Sequence, residues 1–320
     1  MDQGTDAEFG NLTRDEFQTL TRLAMKALWG DRQLRRAIQA TQVNLVPCNF
    51  YSDIPSVEEI ERSFEFSEPN GPYNSLKLFK RRRIAEFLDT IAGFAQEFRP
   101  PKAGNPDDPS EFFWENPAFS YSDAMAYYAV IRHARPATII EVGSGFSTLV
   151  ALEAVKTNGL GQIICIDPFP PSWLRRLPIE IIAKPAQTIS LEYLNTTLED
   201  GDILFIDSTH TVKAGSDCLH LYLRMLPFIQ RNIMVHAHDI YLPFPLPAAH
   251  FDRHIYWTEQ YLLLAYLLDN PKIEVLFGSV YNHRFLLGRL NRFMGGKWPS
   301  GGASFWFELK GRLSVAAKAT

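Results

Sequence analysis

Acids and histidines gather in two short runs of the 320-residue chain, Asp207-Ser208-Thr209-His210 and His236-Ala237-His238-Asp239. Each run closes an apolar stretch, Leu204-Phe205-Ile206 or Ile233-Met234-Val235, with the length and composition of a buried strand. At adjacent strand ends these groups have two chemical uses. His210 or His238, titrating near neutrality, can take a proton from a hydroxyl, with Asp239 beside it. Alternatively, Asp207, Asp239 and His238 can hold Mg2+ or another divalent cation that lowers the pKa of an acceptor. Either histidine can also serve only a buried hydrogen-bonded network. Glu259 opens the helical segment 257–268, which follows a proline-rich loop over residues 242–249. There it either complements the helix dipole or binds substrate.

A second pattern says what could sit beside these groups. Ile139-Ile140-Glu141-Val142-Gly143-Ser144-Gly145-Phe146-Ser147-Thr148 reads as a strand, a glycine turn and a helix start. Gly143 and Gly145 let the backbone approach a ligand at the carboxyl end of a first strand, with Ser144 and Ser147 at the same turn. The next strand ends at Asp167, where an acid accepts hydrogen bonds from both ribose hydroxyls. The third ends near Ala186-Gln187, the height of contacts to an adenine ring. A nicotinamide dinucleotide domain competes for these signals, but its third glycine is replaced by Thr148. Glu141, an acid inside the first strand, suits a cationic sulfonium ligand with an amino group better than a pyrophosphate. A tight turn with no ligand is the third reading.

The elements that must position these groups are legible in outline. Strand-like runs fall at 138–142, 162–166, 180–183, 202–206, 233–236, 273–277 and 304–309. Helical segments lie between most of them, at 147–156, 212–226 and 257–268. Strands alternating with helices predict a doubly wound, Rossmann-like α/β domain on a seven-stranded sheet. No crossover is required between 277 and 304, which allows an antiparallel last strand. Ahead of this domain, Thr13-Arg14-Asp15-Glu16 is a capping box followed by Phe17, Leu20, Leu23 and Ala27 at helical spacing, and Ser56-Val57-Glu58-Glu59 is a second one that opens a short helix. A longer amphipathic helix follows, with Leu76, Phe79, Phe87, Leu88, Ile91 and Phe98 on one side. Residues 99–110 hold four prolines and form a linker. The division expected is an N-terminal helical cap and linker over 1–110 and the α/β domain over 111–320, with the cap closing over the substrate.

Totals bound the alternatives. Hydrophobic residues are 46%, charged residues 21%, and the net charge is -4. These are values of an ordinary folded protein without the basic face of a nucleic-acid binder. The one basic tract, Lys80-Arg81-Arg82-Arg83, reads as a solvated helix face. Cys48, Cys165 and Cys218 are too dispersed for a disulfide framework or a thiolate zinc site. The opening with Asp2, Asp6 and Glu8 lacks a signal pattern, and the longest apolar run, 261–268, is too short to span a bilayer. The expectation is a cytoplasmic protein with no membrane or nucleic-acid partner, and the oligomeric state is not readable.

Taken in order, EVGSGFST, CIDPFP, LFIDSTH and HAHDIYLPFP resemble class I S-adenosylmethionine-dependent methyltransferases. They are similar to a bacterial subgroup, methyltransferase domain family 24, whose members carry IDSSH and HIHDIF-P-like segments. The similarity extends to Asn49-Phe50-Tyr51-Ser52, Phe119-Ser120-Tyr121, residues 257–261 and Gly301-Gly302-Ala303-Ser304-Phe305-Trp306, and covers most of the chain. It implies S-adenosyl-L-methionine as cofactor, held by Glu141, Gly143, Ser144, Gly145, Ser147, Asp167, Gln187 and Asp207. Ser120 and Tyr121 become a wall of that site, although Ser120 can simply cap a helix. Tyr51 and Glu259 become substrate contacts, although Phe50 and Tyr51 can equally be core aromatics.

Metal-dependent O-methyltransferases of the catechol and caffeoyl-CoA type place acids at the same two strand ends. Their second acid is followed by Asn, where this chain has Ile240, so one usual ligand is missing. No (N/D)PPY segment stands at the fourth strand, which favours oxygen over nitrogen acceptors. The expected activity is methyl transfer to an oxygen of a small-molecule or sugar-like acceptor. The alternatives are another nucleoside-dependent reaction on this fold, hydroxylase-like or aminopropyl transfer, and a non-catalytic cofactor-binding module.

Overall fold

The seven apolar runs form one sheet: β1 (Thr138–Val142), β2 (Gln162–Ile166), β3 (Glu180–Ile182), β4 (Ile203–Ile206), β5 (Ile233–Ala237), β6 (Ile273–Gly278) and β7 (Phe305–Leu309). In this computed structural model, residues 11–311 are described; Asp2, Asp6 and Glu8 of the acidic opening lie outside them. The strand order is β3-β2-β1-β4-β5-β7-β6. Pairings from β3 to β5 are parallel, whereas β7 runs antiparallel to both β5 and β6. The doubly wound α/β class and the antiparallel last strand are therefore as expected. β1, β4 and most of β2 and β5 are buried on both faces, which is why they read as unbroken apolar runs.

Two helices, α1 (Arg14–Leu28) and α2 (Arg32–Gln39), and the short α3 (Val57–Glu61) precede the sheet domain. Both expected capping boxes are present: Thr13 and Glu16 start α1, and Ser56 and Glu59 start α3. Then follow α4 (Arg81–Ala95), α5 (Tyr121–Ala134), α6 (Phe146–Asn158), α7 (Leu191–Thr197), α8 (Asp217–Leu219), α9 (Ala248–Asp252), α10 (Glu259–Leu267), α11 (Ser279–Phe285) and α12 (Leu287–Met294).

The chain divides into two compact units between Ser63 and Phe64, not near residue 110. The reason is α4, whose Phe87, Leu88 and Ile91 join the core that also holds α5 and α6. Leu76, expected on that apolar side, lies before the helix and is exposed. The basic tract is spread over the first turn of α4, where Arg82 pairs with Glu86 and Arg83 with Glu274. The segment read as one helix over 212–226 begins only at α8, capped by the Ser216 hydroxyl. It continues as a π-type turn over His220–Met225 and a 3-10 turn over Leu226–Phe228. Between β6 and β7 the chain inserts α11 and α12, which the sequence pattern does not announce.

Candidate active site

The site is built at the carboxyl edge of the parallel strands, where open α/β sheets bind ligands. β1 runs into Gly143, whose φ of +89° is in the left-handed region. A Cβ there would lie 1.9 Å from the carbonyl oxygen of Asp207, so the turn touches the end of β4 and only glycine fits. The Asp207 amide in turn donates to the Val142 carbonyl at 2.8 Å. Gly145 stands at the N-terminus of α6, and a Cβ on it would enter open space. At the end of β2, Asp167 accepts from the Ser144 hydroxyl (2.7 Å) and the Phe169 amide (2.8 Å).

Gly143, Ser144, Asp167, Gln187 and Asp207 line one cleft of about 390 Å³, a size suited to a small ligand. Ser208, Thr209 and Asp217 line it too and were missed by sequence reasoning. Asp217 accepts from the Thr209 amide and hydroxyl and so shapes the wall after β4. Ser208 Oγ is buried there without a hydrogen-bond partner.

Besides Gly145, four residues expected at the cofactor lie outside the cleft lining. Glu141 is fully buried and faces away from the cleft, because strand alternation puts it on the side of Ile139, toward α5 and α6. Its carboxyl accepts from Tyr127 Oη at 2.8 Å, Thr148 Oγ1 and Cys165 Sγ. Ser147 is buried in the first turn of α6. The Ser120 hydroxyl neither lines the cleft nor caps α5, since it donates to the Trp114 carbonyl at 2.7 Å. Tyr121 also lies outside the cleft lining; it is half exposed and has φ +56°. Tyr51 belongs to the N-terminal unit, where it is exposed beside Phe50 rather than part of a core.

Burial pushes the Glu141 carboxyl up to about 7, against the lowering effect of its three hydrogen bonds. A carboxyl raised in the folded state contributes stability that is full below its ordinary value of 4.5 and is lost as pH rises through 7. The loss amounts to roughly 3 kcal/mol. Glu141→Gln is therefore expected to gain thermal stability relative to the unsubstituted protein between pH 5 and pH 8.5. Parallel melting curves at the two pH values would show a constant difference if Glu141 stays ionised.

The histidines and acids of β4 and β5 do converge. His210 Nε2 lies 3.3 Å from Asp207 Oδ1 and 3.6 Å from Asp239 Oδ2. His238 Nδ1 lies 3.5 Å from Asp207 Oδ2 and 3.6 Å from the same Asp239 oxygen. Behind each ring stands a second acid. Glu259 Oε2 is 2.8 Å from His210 Nδ1, and Asp123 Oδ2 is 3.1 Å from His238 Nε2. Glu259 is 1% exposed and its other oxygen accepts from Tyr222 Oη at 2.6 Å, so it holds His210 rather than reaching substrate. The His210 carbonyl accepts from the Thr258 and Glu259 amides, which fixes the start of α10 directly over the histidine. His210 and Asp239 both have positive φ, a strain that the surrounding hydrogen bonds sustain.

Charge sets the protonation of the cluster. Burial would raise Asp207 and lower both histidines, but their mutual attraction outweighs it. Asp207 is held well below the usual carboxylate range by His238 and His210. His210 is raised to about 10 by Asp207 and Glu259, and His238 is raised by Asp207 and Asp123. Asp239 is pushed up by burial. His236 is different: burial holds it low, its Nε2 pairs with Ser304 Oγ at 2.7 Å, and it stacks on Phe205. It is a core histidine.

A glycine turn, an acid at the end of β2 and the reversal of strand order between the parallel neighbours β1 and β4 define an open α/β domain built for a nucleoside ligand. Residues 140–240 match a family described as a methyltransferase domain. An uncharacterized protein of Archaeoglobus fulgidus is 31% identical over 164 residues, which is 48% of this chain and 74% of the relative. The chain belongs to this family of class I S-adenosylmethionine-dependent methyltransferases. Among solved structures, the chain is similar to an O-methyltransferase from Bacillus cereus in complex with SAH (12% identity, 70% and 90% of the two chains, TM-score 0.37). It is similar also to the O-methyltransferase TomG from Streptomyces achromogenes in complex with SAM (13%, 71% and 90%, TM-score 0.37). Among the described residues, no helix is long and apolar enough to cross a membrane.

Proposed function

We propose that the protein methylates an oxygen of a small-molecule or sugar-like acceptor held above the ends of β4 and β5. The observation that carries this reading is the double position of Asp207. Its residue lines the cleft of the glycine turn, and its carboxylate lies between His210 and His238. An acceptor hydroxyl at that carboxylate would therefore stand next to both the cofactor and the proton-handling groups. When bound, S-adenosylmethionine supplies a sulfonium methyl group already activated for in-line displacement. The chain must then orient the acceptor and remove its proton.

The two histidines divide the work. Glu259 accepts the Nδ1 proton of His210 and turns Nε2 toward the acceptor side, so His210 is the base and Glu259 steadies the imidazolium it becomes. His238 has the opposite arrangement. Its Nε2 donates to Asp123, and its buried Nδ1 has no hydrogen-bond partner. Asp207, His238 and Asp239 each offer one ligand atom within 4.8 Å of the others. An orphaned imidazole nitrogen facing two carboxylates is a donor set that fits Mg2+, Mn2+ or a similar divalent cation. When bound, such a cation supplies positive charge that lowers the pKa of the acceptor hydroxyl. Asp207 and Asp239 would then direct their charge to the cation, and the attraction that keeps a proton on His210 would weaken.

Release of S-adenosylhomocysteine in the presence of a panel of phenols and polyols tests the reading. Turnover of the responding acceptor is expected to fall at least about tenfold on chelation and to return with Mg2+ or Mn2+. Full turnover after chelation would contradict the cation's part in activating the acceptor.

A further inference from the structure

Asp123 is the most heavily satisfied acid in the sheet domain, and no part of the reading above gives it a function of its own. Its carboxylate is 3% exposed. Oδ1 accepts from Ser279 Oγ (2.5 Å) and the Ser304 amide (3.0 Å). Oδ2 accepts from the Ala303 amide (2.9 Å) and from His238 Nε2 (3.1 Å). A Cβ on Gly302 would lie 2.3 Å from both oxygens, and Gly302 has φ +92°, so glycine is what lets the 301–304 segment close on the acid. The neighbouring Ser122 binds the Gly301 carbonyl through its amide and its hydroxyl. The first turn of α5, the start of α11 and the segment before β7 thus form a clasp. Three of its donors hold the carboxylate still. The fourth leads to the site.

We infer that Asp123 is a positioning residue: it fixes the His238 ring with the proton on Nε2, so that Nδ1 faces Asp207 and Asp239. An imidazole that ligates a cation is neutral and carries its proton on one nitrogen only, so a carboxylate that accepts from Nε2 leaves Nδ1 as the nitrogen that gives up its proton to the cation. A ligating histidine normally has its other nitrogen held by such a partner, which sets tautomer and ring direction. The consequence for cation affinity rests on the reading above; the ring orientation does not. Gly301-Gly302-Ala303-Ser304, a sequence signature without an evident chemical role, gains one: it supplies two of the four donors.

The test compares the unsubstituted protein with Asp123→Asn in two readouts, with S-adenosylhomocysteine affinity as a control expected to stay within about threefold. Mn2+ affinity, followed by the spectrum of the free ion, is expected to fall about 10- to 100-fold. In protein carrying 15N-histidine, the His238 Nε2–H proton, assigned by its absence in His238→Gln, is expected to be visible and protected, and to vanish in Asp123→Asn. Unchanged Mn2+ affinity with the protected proton retained would overturn the inference. If neither protein binds Mn2+, the cation reading fails by itself, and the proton signal decides: its loss supports the clasp, and its persistence contradicts it. Should Asp123→Asn not fold, Ser279→Ala removes one donor and is expected to give the same changes at smaller size; no change in either readout would also contradict it.

Discussion

Gly143→Ala is expected to abolish measurable binding of S-adenosylhomocysteine. Two effects add at this position. An alanine at φ +89° carries a backbone penalty of about 1–2 kcal/mol. Its Cβ would also sit 1.9 Å from the Asp207 carbonyl oxygen, far inside contact distance, so the turn must move away from β4. The movement separates Gly143 and Ser144 from Asp207 and Asp217 and opens the cleft they share. The Asp207 amide bond to Val142 goes with it, so a lower melting temperature should accompany the lost affinity. Calorimetry with S-adenosylhomocysteine alongside a melting curve checks both. Wild-type affinity in a folded Gly143→Ala protein would mean that the glycine turn does not shape the cofactor site.

His210→Ala carries the second large effect, and it should be confined to chemistry. Removing a general base costs about 10²- to 10⁴-fold in rate. His210 borders the cluster, not the cleft lining, so cofactor affinity should remain within about threefold. Glu259→Gln should reproduce part of the loss, because Glu259 holds Nδ1 and with it the direction of Nε2. Steady-state kinetics with an identified acceptor would separate the two effects. A kcat reduced less than tenfold in His210→Ala would move the base to another group.

How much of this was legible follows from what sequence periodicity encodes. Parallel strands buried on both faces announce themselves as unbroken apolar runs, so β1, β2, β4 and β5 and the groups at their ends were readable. Asp207, His210, His238 and Asp239 accordingly meet where expected. Orientation across the sheet was harder. Glu141 alternates with Val142, but nothing local says which face meets α5 and α6, and the acid points into Tyr127 instead of the cleft. Glu259 was legible as the first residue of a helix. Its burial was not, because it depends on the His210 carbonyl capping α10 from 49 positions away. Asp123 is the extreme case, since its partners come from residues 238, 279, 303 and 304. The late start of α8 did leave a signal in Ser216, whose hydroxyl caps it.

The most direct test of the central claim is calorimetric titration with S-adenosylhomocysteine of the unsubstituted protein and of Asp167→Ala. Asp167 lines the cleft at the end of β2, where it can accept from ribose hydroxyls. Saturable micromolar binding that Asp167→Ala weakens at least about tenfold, roughly 1.4 kcal/mol, is the predicted result. Absence of binding heat together with no thermal stabilisation by S-adenosylhomocysteine would contradict it.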